Sequence, residues 1–493
     1  MQRGRPRARF EGGFSARYAR DGRRPQEPRE ARSSGWHRWG VAMARNRHIV
    51  FLVWALVLLA CLALYPTLKE VLGAPNYSVD GSQSAQVEQL LNTSLSGAGT
   101  EQDALVFYSR EHRATSRSYR AVVTKVLHDV RSQPGVVAVY GPYGTDGKHA
   151  AISRDGHAAL ARVALAGGSK LRLERAGKME SVVADASDAR VTAWLTGFSP
   201  IAHDLAGVET ADTERAEAIG LPIAMVILLL ALGAWAAAML PLLQAGVGLL
   251  LTYGAIALLA RVLTFDSGML AIVTMIGVGI GIDYSLFIVS RFREELARRP
   301  PEPRRERRCV ADAVGAAMAT SGRTVLYSGV IVGLSLLSLL AIHAPIFGEF
   351  ALGALTVVAC TLAAALTLLP ATLAQLGRKI NTGSLPERLQ PAEVRQEAEG
   401  KSGWARWAFA MMRRPLLTAS LVATLLIVAM APVLGIKYGI NLALAPLSSK
   451  PSGEGAAVLA RSFSPGAVGP IQIVLRGNGE HRSASATLRA ERA

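Results

Sequence analysis

The stretch GIGIDYSLFIVSRFREEL, Gly279 to Leu296, holds the residues best placed to do chemistry. The apolar run SGMLAIVTMIGVGI leads into it, Asp283 interrupts it, and charge becomes continuous only from Arg291. An ionised carboxylate in hydrocarbon costs roughly 3 kcal/mol or more. Asp283 must therefore be protonated, paired or facing a cavity, and no cationic residue lies within one or two helical turns on the outer side. Desolvation favours the neutral acid, a group able to take and give a proton. Tyr284 offers a hydroxyl next to it, so Asp283 and Tyr284 are the candidate proton relay. A structural polar contact between helices is the bland alternative for the same acid.

The neighbours of this pair have helical spacing. Gly279 and Phe287 lie one turn to either side on the Asp283 face. Gly277 and Gly281 form a G-x-x-x-G pair that lets another helix approach closely. Gly277, Gly279 and Gly281 are read as packing positions. In the following apolar segment Ser328 and Ser335 are seven residues apart, hence on one face. They are candidate hydrogen-bond partners for the carboxyl, or they bond back to their own backbone.

These residues need membrane helices to position them. The chain has 493 residues, 50% of them hydrophobic, gathered into blocks of the length that crosses a bilayer core of about 30 Å. Seven spans are predicted: 48–65, 219–240, 242–262, 268–290, 324–342, 349–375 and 416–435. No charge occurs from Ala218 to Ala260. As one helix that run would be about 65 Å long, so a tight hairpin is expected, with Pro241 as the breaker.

The net charge of +17 does not mark a nucleic-acid binder, because its distribution follows the spans. Residues 1–47 carry 13 Arg, the loop 291–323 contains RFREELARRPPEPRRERR, and the linker 376–415 has eight Lys or Arg. Residues 66–218 instead hold 16 Lys and Arg against 18 Asp and Glu. By the positive-inside rule the basic segments are cytoplasmic, and 66–218 and 436–493 are extracytoplasmic. The tail 1–47 ends in GWHRWGVAMARNRHIV, which reads as an interfacial helix anchored by Trp36 and Trp39. The first span lacks a small-residue cleavage site after it and is read as an uncleaved anchor. Cys61, Cys309 and Cys360 imply no disulfide framework in the outer segment, and no Cys or His spacing suits a metal. No cofactor motif occurs.

The outer segment alternates strand and helix signals. ALVFYS (104–109), GVVAVYG (135–141), HAALARVAL (157–165) and VTAWLTGF (191–198) read as strands, with helices near 112–133 and 168–187. The expectation is an α/β domain of two βαβ-like halves between spans one and two. After span seven the pattern that follows span one recurs: YGINLALAPLSSKPSGEGAAVLARSF and then IQIVLRG echo YSVDGSQSAQVEQLLNTSL and then ALVFYS. Such a span-plus-domain repeat is typical of transporters. The second copy gives way after Gly477 to the polar NGEHRSASATLRAERA. Residues 436–493 are therefore read as the start of a second outer domain, C-terminally truncated.

GIGIDYSLFIVSRFREEL resembles the fourth-span signature of the mycobacterial membrane protein large (MMPL) family in the resistance–nodulation–division superfamily. SGRTVLYSG (321–329), TGFSPIAHDLAG before span two and LTLLPATLAQLGRKIN (366–381) resemble further stretches of that family in the same order. The resemblance implies a polytopic α-helical membrane protein of the bacterial plasma (inner) membrane, with a porter-like α/β domain outside. It implies proton-driven export of lipids or other hydrophobic molecules, with no covalent catalysis. It also implies that Asp283 and Tyr284 work with a matching pair in a second half, which is absent from this chain. A missing C-terminal half or self-association would supply that pair; the alternative is a non-transporting or dimer-dependent fragment. An intramembrane aspartyl protease fits poorly, since Ile282 rather than Gly precedes Asp283 and no other span has an Asp in its interior.

Overall fold

A computed structural model describes residues 34–463, except 74–78, 80, 95–98, 144–150, 189, 264, 267, 300–304, 385–406, 408–409 and 437–444. The Arg-rich tail up to residue 33, most of the linker 376–415 and the IQIVLRG run lie outside the described residues.

Among the described residues seven helices are long and apolar enough to cross a membrane. They are Arg47–Leu68, Phe198–Leu232, Trp235–Leu259, Met269–Ala297, Glu306–Ala341, Pro345–Asn381 and Pro415–Gly435. The first belongs to α2 (Arg47–Val71), which follows α1 (Gly35–Arg45). After α3 (Gln83–Ser94) and the α/β domain, spans two to four are α6 (Phe198–Leu232), α7 (Trp235–Leu259) and α8 (Met269–Ala297). Span five is α9 (Glu306–Ala317), a π turn (Met318–Gly322) and α10 (Arg323–Leu337). Span six is α11 (Pro345–Ala363), a π turn (Ala364–Leu368) and α12 (Leu369–Leu376). Span seven is α13 (Pro415–Met430) with one 3₁₀ turn, and none of its described residues is buried. Two basic stretches expected as loop are helical: Arg291–Ala297 continues α8, and Glu306–Gly322 leads into span five.

The break between spans two and three is at Gly233, not Pro241. Gly233 takes φ +67°, the left-handed conformation that costs glycine little, and its N–H closes on Leu229 O at 2.8 Å. Pro241 sits inside α7. The first free N–H groups of α7 bond to the chain leaving span six: Trp235 N to Gly383 O at 3.2 Å and Ala236 N to Thr382 O at 3.4 Å. These bonds satisfy N–H groups at the start of α7, ahead of Pro241; prolines within membrane helices are tolerated where the surrounding bundle adjusts to the missing bond.

A second proline explains the seat of α1. Pro370 has no N–H to offer Leu366 O four residues earlier, and that carbonyl accepts from Trp39 Nε1 at 3.0 Å. Trp54 Nε1 donates to Thr367 Oγ1 at 3.1 Å in the same π turn. Gly40 of α1 lies against Met318 of the other π turn, where a Cβ would come within 2.9 Å. The helix read as interfacial is thus seated on the bundle, with Trp36 packed on its core and Trp39 half exposed.

The α/β domain is a four-stranded sheet in the order β2-β3-β1-β4. Its strands are β1 (Glu101–Tyr108), β2 (Val136–Tyr140), β3 (Ala158–Leu165) and β4 (Thr192–Thr196), with α4 (Arg117–Arg131) after β1 and α5 (Ser169–Ala186) after β3. All pairings are antiparallel. Each helix therefore joins strands separated by a third, a split βαβ arrangement. Side chains alternate between the faces. Leu105 and Phe107 pack with Val123, Val126, Met179 and Val183 under α4 and α5. Val106, Leu160 and Trp194 face the other way, onto Val458 and Leu459 of α14 (Pro451–Ser462). A helix about 260 residues further along the chain thus covers the second face of the sheet.

Candidate functional site

Two places in the fold hold acids under constraint. The first is Asp283 on α8. Gly277 and Gly281 lie on the buried side of this helix. A Cβ on Gly281 would be 2.8 Å from Ala245 Cα, and one on Gly277 would be 2.5 Å from Leu249 Cδ2 and 2.8 Å from Val357 Cγ2. These glycines let α8 close on α7 and α11. Gly279 is different: nothing lies within 4 Å of the Cβ it lacks. It shares with Met275, Asp283 and Phe287 an exposed stripe at four-residue spacing.

Tyr284 is on the buried side. It is 7% exposed and belongs to the core cluster with Leu240, Ile288, Val325 and Leu362. Its hydroxyl has no hydrogen-bond partner among the described residues. Adjacent helical residues are about 100° apart, so the pair that is contiguous in sequence points to two faces. The serines are not brought to Asp283 either. Val325, Gly329 and Gly333 take the buried face of α10, which leaves Ser328 and Ser335 exposed. Ser335 Oγ donates to its own helix at Ile331 O, 2.9 Å away. Of the two readings of these hydroxyls, Ser335 takes the back-bonded one, and no bond joins either serine to Asp283 among the described residues.

At the end of α8 beyond this stripe, the run expected to mark the cytoplasmic exit builds a clamp. Glu295, 3% exposed, pairs with Arg291 at 2.8 Å, Arg298 at 3.0 Å and Arg299 at 2.9 Å. Arg293 donates to Leu232 O, the last residue of α6, and to Asn381 Oδ1 at 2.8 Å. The ends of spans two, four and six are therefore tied together by one helix. Gln244 of α7 is also buried, and its Nε2 has no partner among the described residues. In the sequence it is a lone amide in an apolar span.

The second place is the joint where β4 passes into α6. Gly197 makes the turn at φ +152°, and a Cβ there would collide with Asp103 Oδ1. Glycine cannot cap a helix with a side chain. Glu101 of β1 does so instead, accepting from Ser199 N at 2.7 Å and Ser199 Oγ at 2.8 Å. The Arg172 guanidinium holds Glu101 in place at 2.7 Å and also donates to Thr100 Oγ1 and Gly167 O. Asp103, 1% exposed, lies beside the Glu101 carboxyl, and no N–H or hydroxyl donor among the described residues reaches either of its oxygens. Burial, and then the charge of Glu101, raise its carboxyl well above the usual carboxylate range. On α5, burial and the nearby Asp204 push Glu180 up to about 8. Asp204 in turn accepts from Ser452 N at 3.1 Å and Ser452 Oγ at 2.6 Å, which fastens α14 to the start of α6.

This joint makes the domain sensitive to pH. Asp103 and Glu180 bind protons more tightly folded than unfolded, so their contribution is fully present below the ordinary carboxylate range. It is lost as pH rises through their folded values. The melting temperature of the detergent-solubilised protein is expected to fall from pH 5 to pH 9, and Asp103→Asn with Glu180→Gln to flatten the profile. An equally steep profile in the double variant would show that other groups set the dependence.

A family model described as the MMPL family matches residues 76–418. Over 444 residues the chain is 32% identical to the heme uptake protein MmpL11 of Mycobacterium tuberculosis (strain ATCC 25618 / H37Rv), covering 88% of this chain and 44% of that protein. Over 457 residues it is 30% identical to the mycolic acid-containing lipids exporter MmpL11 of Mycolicibacterium smegmatis, covering 91% and 46%. Over 264 residues it is 30% identical to the trehalose monomycolate exporter MmpL3 of Mycobacterium tuberculosis (strain CDC 1551 / Oshkosh), covering 49% and 27%. The chain spans less than half the length of these relatives.

Proposed function

The chain belongs to the MMPL family, within the resistance–nodulation–division superfamily, and on that premise we propose that it acts in proton-driven export of lipids or other hydrophobic small molecules. The observation that carries this reading is Asp283, an acid inside an apolar helix on a stripe that no other described helix of this chain covers. An acid that alternates between protonated and ionised forms changes the cost of its surroundings by several kcal/mol, enough to drive rearrangement of a packed bundle. In this reading Asp283 exchanges the proton and Tyr284, on the buried side of the same turn, hands it toward the core. A second transmembrane half, for which the relatives' length leaves room, faces the stripe and supplies the partner pair. The α/β domain lies on the extracytoplasmic side as a porter-like element, and the Arg291–Arg299 clamp lies in the cytoplasm of a bacterial inner-membrane protein.

Reconstituted vesicles with an imposed pH gradient test the driving force. Transfer of a labelled lipid between leaflets should follow the gradient and stop on adding a protonophore. Transfer at an unchanged rate after the gradient is collapsed would overturn the proton coupling.

A further inference from the structure

Three helices of the bundle carry two unpartnered polar groups to one level. As consecutive crossings alternate in direction, α7 runs antiparallel to α8 and α11. Gly281 of α8 lies against Ala245 of α7, Gly277 of α8 against Val357 of α11, and Gly248 of α7 against Thr361 of α11; in each case a Cβ on the glycine would come within 2.8 Å of its neighbour. Two turns, about seven residues, beyond the Gly277–Val357 contact are Tyr284 and Ala364. One turn from the Gly248–Thr361 contact, toward the same end, are Gln244 and Ala365. The Gln244 amide and the Tyr284 hydroxyl are therefore both carried to the level of the π turn Ala364–Leu368 of span six. Tyr284, Leu240 and Ala365 belong to one core cluster there.

Both side chains are enclosed. Gln244 is 6% and Tyr284 7% exposed, and neither Gln244 Nε2 nor Tyr284 Oη has a hydrogen-bond partner among the described residues. A buried donor left without an acceptor is costly. The π turn adds an acceptor at the same level. Its bonds reach five residues back, and Pro370, with no N–H, cannot serve Ala365 O in that way. Ala364 and Ala365 bring little side-chain bulk to this level. Polar groups so placed are what buried waters bridge, with about two to four hydrogen bonds each. We propose that Gln244, Tyr284 and Ala365 O hold one buried water, and that Gln244 is a positioning residue which, through this water, aims the Tyr284 hydroxyl into the bundle. Gln244 Nε2 and Tyr284 Oη donate to the water oxygen, and the water donates to Ala365 O. The positioning role rests on the proton-transfer reading of Asp283 and Tyr284; the water site does not. In that reading the hydroxyl passes its proton to the water as it takes one from the Asp283 side. The water releases one of its own, so neither group keeps a charge.

The test reads the phenol C–O stretch of Tyr284 by infrared spectroscopy of the full chain in lipid nanodiscs, isolated as the difference from Tyr284→Phe. In the parent the band should have the position of a hydroxyl that donates a hydrogen bond. Gln244→Met keeps the length of the side chain and removes the amide, and it should move the band to that of a free phenol, read against the same variant carrying Tyr284→Phe. Gln244→Leu should do the same, which separates loss of the amide from misfit of one side chain. Gln244→Glu returns a hydrogen-bonding head and should restore the band. Proton uptake by vesicles should fall at least fivefold in Gln244→Met and recover in Gln244→Glu. A free-phenol band in the parent, or a band unmoved in both Gln244→Met and Gln244→Leu, would overturn the water site. A moved band with unchanged proton uptake would overturn the positioning role. Full export by Asp283→Asn would strike the relay reading and leave the water site standing, because the infrared band does not depend on transport.

Discussion

Asp283→Asn is expected to reduce export by at least tenfold while leaving the amount and the melting temperature of the membrane-inserted protein unchanged. Asparagine keeps the size and the hydrogen-bonding capacity of the side chain but cannot give up a proton. If Asp283 is only a polar contact between helices, asparagine preserves it and export survives. If the acid is the proton carrier, export fails. Asp283 is exposed on α8 and makes no hydrogen bond within this chain among the described residues, so no loss of folding should confuse the result. Asp283→Glu, which retains the titrating group, should recover part of the activity. Tyr284→Phe is the companion. It removes a buried hydroxyl that has no partner, a change that is neutral or stabilising when the hydroxyl only packs. Lower export by Tyr284→Phe at undiminished stability would therefore assign the hydroxyl a part in proton transfer. The readouts are lipid transfer and proton uptake in the same vesicles. Full export by Asp283→Asn would sink the relay.

The Glu101 joint at the sheet and the Arg293 clamp are at opposite ends of one mechanical element. Helix α6 runs 35 residues without a break, from the Gly197 joint at the sheet to Gly233 at the clamp. At its start it is gripped by Glu101 and, through Asp204, by α14. At its end Arg293 of α8 holds Leu232 O. In the proposed relay, α6 is the element through which a shift of α8 at Asp283 would be felt at the sheet, because packed elements move as units rather than deforming gradually.

Apolar blocks and strand alternation were legible in the residues because each depends only on local order. The strand expected at 104–109 is found at Glu101–Tyr108, and the one at 191–198 at Thr192–Thr196. Pro241 misled because a proline breaks helices in water, whereas inside the bundle its missing bond is tolerated and a glycine ends the helix. The order of the strands and the docking of α14 onto Val106 and Trp194 were not legible, since they are set by contacts across 260 residues. The acid in span four was visible from its cost in hydrocarbon. Which way it points was not, because Asp283 faces out only through Gly277 and Gly281 turning the other side of α8 onto Ala245 and Leu249. The Glu101–Arg172–Asp103 group was hidden in EQDALVFY, where two acids occupy positions that alternation assigns to the same buried face as Leu105 and Phe107.

That group gives the largest expected loss of stability. Arg172→Leu should destabilise the α/β domain by about 3–5 kcal/mol, the usual result of removing one partner of a buried ion pair. Arg172 is 5% exposed and has at least three acceptors, so its loss removes the cation from the Glu101 carboxylate beside Asp103 and frees Thr100 Oγ1 and Gly167 O at the same time. Glu101 is also the substitute cap of α6, which means the damage should spread from the sheet to the membrane helix. Glu101→Gln keeps an acceptor for Ser199 N and removes the stranded charge, so in the Arg172→Leu background it should restore part of the loss. Unfolding in denaturant of all four proteins forms the cycle, with proteolysis at the domain joint as a second readout. A single-variant loss under about 1 kcal/mol, or strict additivity in the double variant, would mean that solvent reaches this pair and that the joint is held by backbone packing alone.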